Sequence, residues 1–329
     1  MELKFGKDVS SDFVKEKLKW NSKYYVKIGK KYAKMSSLKQ KQCYICFNKK
    51  SKKVASVFGL NYLMCQKCNH VYTDRRLDEK GLTKYYTEDP DYFNNPYTRK
   101  NILNLRDQIF KPKIEYVKKF IKGKKWLDVG SGDGAAVSAA KKAGFDAKGL
   151  EISNTGRAFA KKYRKIDLFN GTLTDFSNQN KTKWDVISFY GVIEHVPEPV
   201  TILREANKIL KIHGLVLIEV PNFECYSTYF QKLTQSPDRH LTIPGHIMLY
   251  TKKSAEYLFK KNGFQPISTW YYGMDAIELL KYMNQLDPKF IKSELFEELV
   301  KKINQIQYVF DSSEKSDTFL MIGRKTKNI

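Results

Sequence analysis

The sequence predicts an α/β protein: a doubly wound, mostly parallel sheet with a small zinc-ribbon-like module in front of it. Three observations carry this expectation. From residue 125 onward, apolar strand signals alternate with helix signals at the length of βα units. The strand KWLDVG runs straight into a glycine loop, LDVGSGDG at 127–134. Two CxxC pairs, Cys43/Cys46 and Cys65/Cys68, precede both.

The elements follow in order. Residues 1–42 form a basic segment in which twelve lysines face four acids, with Trp20, Tyr24, Tyr25 and Tyr32 scattered among them. Residues 43–77 form the zinc-binding module: a CYIC knuckle, the strand VASVFG, a turn at Asn61, a CQKC knuckle and HVYTDR. Residues 78–122 read as a helical linker or lid. Its apolar positions Ile102, Leu105, Ile109, Ile114, Val117 and Ile121 lie near a 3.6 period, with Pro112 as a break.

The core spans 123–273. KWLDVG, DAKGLEI, RKIDLFN, WDVISFYGV and GLVLIEVP are strands. GAAVSAAKKA, TGRAFAKKY and PEPVTILREANKIL are helices, the last with proline at its start. A helix at 251–262 and a strand at 265–272 close this part, and 274–329 adds a helical insertion at 275–308 and a final strand, DTFLMIGR.

Composition narrows the function. The chain has 329 residues and is 42% hydrophobic, enough for a sizeable core. No apolar run approaches the roughly 18 residues of a membrane span, and the charged start MELKFGKDVSSDF has no signal-like apolar stretch. Cysteines in CxxC pairs point to metal in a reducing compartment, so the cytoplasm is expected. The net charge is +24, but only nine of the 59 basic residues are arginine, the residue that forks onto phosphates. The charge alone therefore does not indicate a nucleic-acid partner, though RNA stays open.

The cysteine spacing, two knuckles eighteen residues apart, is that of a zinc site. Cys43, Cys46, Cys65 and Cys68 can close a tetrahedron of thiolates with no open position, so the Zn2+ is structural. His70 is an alternative ligand, and Cys225 reads as a packed small hydrophobe. The glycine loop offers Gly130 and Gly132 for close ligand approach ahead of a helix N-terminus. The string also fits a dinucleotide fingerprint, but Asp128 would repel a pyrophosphate; it suits a ligand carrying an ammonium and a sulfonium. Glu151, ending the next strand, can accept two ribose hydroxyls, and Ile152 adjoins it. Asp175 and Phe176 offer a carboxylate and an aromatic face for adenine.

DVGSGDG, Glu151, Asp175-Phe176 and YGVIEHVPEP at 190–199, in this order, resemble a class I S-adenosylmethionine-dependent methyltransferase over about residues 98–273. The whole chain is similar to a bacterial subgroup exemplified by sugar C-methyltransferases and related glycan-modifying methyltransferases. In that subgroup a zinc module precedes the core, a tyrosine stretch follows it (here Tyr85, Tyr86 and Tyr92), and a His-x-x-x-aromatic-Ser/Thr string follows the fifth strand (here GHIMLYT, 245–251). The resemblance implies a seven-stranded sheet and S-adenosylmethionine as cofactor. Gly130 and Gly132 would cradle its methionine part, Glu151 its ribose, Asp175 and Phe176 its adenine, and Tyr190 its carbon chain or sulfonium. The C-methyltransferases carry Glu-His where this chain has Gly245-His246, a departure that argues against C-methylation and leaves O- or N-methylation open; O-methylation of a sugar, sugar nucleotide or glycan precursor is the expectation.

Where the acceptor must lose a proton, His246 and His195 are the candidate bases, with Glu194 as a base or as the residue orienting His195; His240 is a weaker candidate. An rRNA or tRNA methyltransferase, or a non-catalytic subunit with this fold, are the rival readings. NNPY at 94–97 resembles a DNA amino-methyltransferase motif but follows no buried strand and is expected to be a turn.

Overall fold

Two equivalent turns begin the ordered architecture. In each CxxC knuckle the residue after the second cysteine, Phe47 or Asn69, takes a positive φ and returns its amide to the carbonyl of the first cysteine. The computed structural model describes residues 14–15, 26–27, 29–88, 103–234, 240–241 and 245–329. Trp20, Tyr24, Tyr25, Tyr92 and the NNPY string lie outside the described residues.

Strand β1 (Leu38–Lys39) precedes the first knuckle. β2 (Ser51–Val57) and β3 (Leu60–Cys65) form a hairpin, and β4 (Val71–Thr73) adds to it. The turn falls at Phe58-Gly59, both with positive φ, rather than at the expected Asn61. Two positive φ values in succession match the right-handed strand twist. β5 (Arg75–Arg76) pairs with β1.

Helices α1 (Glu79–Glu88) and α2 (Leu103–Lys118) lead into the core. Pro112 does not break α2, contrary to expectation; the helix runs through it. Burial of Phe110, Ile114 and Val117 on both sides of the proline offsets the lost hydrogen bond.

The core sheet takes β6 (Lys125–Val129), β7 (Asp146–Leu150), β8 (Trp184–Tyr190) and β9 (Leu210–Pro221) in parallel, in the order β9-β8-β6-β7. The helices between them are α3 (Ala135–Lys142), α4 (Asn154–Phe159) running into a π turn, α5 (Leu173–Gln179) and α6 (Pro199–Ile209). β8 is apolar almost throughout because it is covered on both faces. The predicted strand RKIDLFN shrinks to one bridge, Leu150 with Phe169, so six strands pair fully.

After β9 come α7 (Tyr226–Thr234), β10 (Met248–Leu249), α8 (Lys252–Lys261), β11 (Phe264–Tyr272), α9 (Asp275–Leu286), α10 (Glu294–Lys301), α11 (Ile303–Ser312) and β12 (Thr318–Lys325). β12 inserts antiparallel between β9 and β11. The core sheet therefore is not confined to 123–273 but draws its sixth strand from the C-terminal segment. The expected 275–308 helix divides into α9, a 3-10 turn at Phe290–Lys292, α10 and α11, with Ser293 capping α10. Buried Val14, from the basic segment, packs among Ile277, Leu280 and Phe296 of this helical group.

The two sheets are joined. β10 pairs with β4, so the string after β9 becomes the fourth strand of the cysteine module. Among the described residues no helix is long and apolar enough to cross a membrane.

Candidate functional site

The glycine loop between β6 and α3 is held from several sides. Gly130, Gly132 and Gly134 all take positive φ. A Cβ on Gly130 would stand 2.6 Å from Val192 Cγ2, so glycine is required there; around Gly132 the same position is open space. Asp133 accepts from Ala135 N and pairs with Arg106 of α2 and Arg164, both at 3.0 Å. Burial raises the Asp133 carboxyl, but the two guanidinium groups outweigh it and keep it below the usual range.

Glu151, at the end of β7, faces that loop. Its Oε2 accepts from Gly132 N at 2.7 Å and its Oε1 from Ser153 N at 2.7 Å. Ile152 beside it is 40% exposed, an apolar surface on an otherwise polar rim. Asp128 is buried, and its Oδ1 accepts from Ser188 Oγ at 2.6 Å, which in turn accepts from Trp126 Nε1 at 2.8 Å. Burial pushes the Asp128 carboxyl up to about 7 despite the Ser188 and Ser131 hydroxyls. Tyr190, ending β8, packs edge-on against Phe110, and its buried hydroxyl has no hydrogen-bond partner among the described residues. These residues fit S-adenosylmethionine: carboxylates for ribose and ammonium, an open backbone at Gly132 and an apolar flank.

Asp175 and Phe176, the residues expected at the adenine, lie in the first turn of α5. Thr172 and Asp175 form a capping box at the start of α5, with Asp175 Oδ2 accepting from Thr172 N at 2.8 Å. Phe176 is buried between Phe169 and Trp184. A Thr-x-x-Asp pattern ahead of a helix is the signal for this cap, which engages Oδ2 of Asp175.

The turn after β8 brings the candidate acid–base residues together. Val192 packs on Gly130, and Glu194 follows two residues later, at most about 7 Å of chain, which keeps this turn near the loop. Glu194 is buried, its Oε2 lacks a hydrogen-bond partner among the described residues, and its Oε1 lies 3.8 Å from His195 Nε2. Burial pushes the Glu194 carboxyl up to about 8 and His195 down to about 4. His195 Nδ1 is 2.6 Å from the Gly245 carbonyl and 3.1 Å from the Tyr86 hydroxyl. The His195 and His246 rings are 4.9 Å apart, and His246 Nδ1 is 2.8 Å from the His240 carbonyl. His240 stacks on His246 and lies 3.5 Å from Asp317. Tyr86 is the member of this group that the sequence placed only through the family's tyrosine stretch.

The four module cysteines converge. Cys43 and Cys68 sulfurs are 3.6 Å apart, Cys46 and Cys65 sulfurs 3.4 Å, and all four lie within 4.8 Å of one another. A tetrahedron of ~2.3 Å Zn–S bonds spaces sulfurs by roughly 3.8 Å, so this donor set fits zinc. His70 is not part of the cluster; it is fully buried against Tyr250, and burial pushes it down to about 3. Cys225 is buried beside Thr228, as a packed residue.

Comparison with known proteins agrees with this geometry. Residues 102–269, half of the chain, match the family model described as methyltransferase domain. The chain is 34% identical over 110 residues to the ubiquinone biosynthesis O-methyltransferase of Actinobacillus pleuropneumoniae, covering 30% of this chain and 47% of that one. The enzyme of the same name from Hydrogenovibrio crunogenus is 25% identical over 160 residues, covering 44% and 66%. The chain thus spans about half to two thirds of the length of these relatives. Among solved structures, the plantazolicin methyltransferase BamL superposes with a TM-score of 0.50 at 13% identity, covering 75% of this chain and 95% of that one, a likeness of fold. The chain belongs to the methyltransferase-domain family.

Proposed function

We propose that the protein transfers a methyl group from S-adenosylmethionine to a hydroxyl of a polar small molecule, a sugar, sugar nucleotide or other glycan precursor of the cytoplasm. The observation that carries this reading is the Glu194–His195–His246 cluster in the turn after β8, close in sequence to the Val192 that packs on the glycine loop: a polar group able to handle a proton. The bound cofactor supplies an electrophilic methyl group. The chain's residues hold and align: Gly130, Gly132 and Glu151 grip the cofactor, Asp128 faces its ammonium, and Tyr190 flanks the reacting end. His195 and His246, supported by Glu194, are where the acceptor's proton leaves. The cysteine cluster holds one structural Zn2+ and, through the β4–β10 pairing, steadies the strand that follows His246.

The relatives named as O-methyltransferases of ubiquinone biosynthesis favour a second acceptor, a phenolic hydroxyl. Incubation with methyl-labelled cofactor and two acceptor panels, sugar nucleotides and dihydroxyphenols, tests both. Label in the sugar panel supports the first reading, label in the phenols the second. Label in RNA, with binding that weakens steeply as salt rises, defeats both.

A further inference from the structure

We infer that Glu194, His195 and His246 form a second metal site, which holds one divalent cation. A donor atom from each lies within 4.8 Å of the other two. Three further observations point the same way.

Glu194 is 3% exposed, with one oxygen lacking a hydrogen-bond partner among the described residues. A carboxylate buried that completely, with an orphaned oxygen, is stabilised by a cation. Both imidazoles are tied at Nδ1 to main-chain carbonyls, His195 to Gly245 and His246 to His240. A carbonyl only accepts, so Nδ1 carries the proton and Nε2 the lone pair. This is the tautomer and the support by which metal-binding histidines are oriented. Finally, the His195 side chain remains 24% exposed, so the cluster can be reached from solvent.

The donor set is two imidazoles and one carboxylate, of intermediate softness, and it differs from the closed thiolate cluster of the module. It suits Mn2+, Fe2+ or Zn2+ with open positions, whereas four thiolates select zinc. Ligand atoms around such an ion stand roughly 3–4 Å apart, so binding draws these side chains together by about an ångström.

This inference rests on the proposed transfer to a hydroxyl and gives the cluster its means of removing the proton. An acceptor oxygen bound to the cation releases its proton to solvent, and the O–H electron pair stays on oxygen. That pair forms the new O–CH3 bond, while the pair of the broken S–CH3 bond stays on sulfur. No electron transfer is involved, so any divalent cation of the right size serves.

The test is a titration of the full-length protein, carrying only the one Zn2+ of the cysteine cluster, with Mn2+, free Mn2+ being read from its paramagnetic resonance signal, with no acceptor present. The expected result is one Mn2+ per chain. Glu194→Gln and His246→Gln should each weaken it by at least about tenfold, while S-adenosylhomocysteine binding, unchanged in both, shows that they fold. Absence of Mn2+ binding at millimolar concentration overturns the inference, as does equal binding by wild type and both variants. Hydroxyl methylation that proceeds without Mn2+ binding leaves the transfer reading standing and removes the metal site. Mn2+ binding lost in the variants, with no hydroxyl methylated in either panel, supports the site and removes the transfer reading.

Discussion

The hydroxyl of Tyr62 donates to the main-chain carbonyl of His246 across 3.1 Å. Tyr62 is a fully buried residue of β3, so the cysteine module holds the backbone of a histidine 184 positions further along. Thr73 adds two more bonds to the next carbonyl, that of Ile247, through its amide and its hydroxyl.

The module should therefore matter to turnover more than to cofactor binding. Elemental analysis of protein purified without added metal is expected to give about one Zn2+ per chain. Cys46→Ser should reduce that content and lower the melting temperature. Methyl transfer should fall by at least about tenfold, with S-adenosylhomocysteine affinity changed little. A fully folded, metal-free wild type would remove the structural-zinc reading.

Glu151 accepts two backbone amides that a ribose would replace with its hydroxyls. Glu151→Ala should weaken S-adenosylmethionine binding by about 1.5–3 kcal/mol, read by calorimetry. The wild-type melting temperature should rise with the cofactor or its demethylated product and not with NAD.

Asp128 links stability to pH. Burial raises its carboxyl from the ordinary 3.8 to about 7, so the folded state binds the proton more tightly than the unfolded chain. Its contribution is fully present below about pH 4 and is lost as pH rises through 7, by a few kcal/mol in order of magnitude. Urea midpoints of the cofactor-free protein at pH 5 and pH 8 should show this fall. Asp128→Asn, which keeps the bond to Ser188 without the charge, should flatten it.

His246→Asn should lower turnover on the true acceptor by roughly 10²–10⁴-fold while keeping cofactor affinity. His195→Asn, which also loses its bond to the Gly245 carbonyl, should affect both turnover and thermal stability. Full turnover in both variants would mean that the acceptor arrives already deprotonated.

Local chemistry was readable in the sequence, and long-range pairing was not. Strands β6, β7, β8 and β9 announced themselves by apolar runs, and the cysteines by their spacing. The glycine loop was legible because positive φ and close approach leave few alternatives to glycine. By contrast, nothing local says that β12 enters between β9 and β11, or that residues 248–249 leave the core to pair with β4. Pro112 read as a break because a proline's cost is local, while the burial that offsets it is tertiary. The capping role of Asp175 was missed for a similar reason: an acidic residue near a helix start serves a cap or a ligand equally well in one dimension.

The pairing of Met248 with Tyr72 joins segments about 175 residues apart. A ribosome adding about 5–20 residues per second needs roughly 10–35 s to cover that distance. Throughout that interval the knuckles can close, yet β4 presents a bare edge of unpaired amides and carbonyls, open to any other nascent strand. The module therefore reaches its final state only when the second half of the chain arrives. Truncation anywhere before residue 249 would leave this edge uncovered for good, making early termination a route to aggregation rather than to a smaller stable domain.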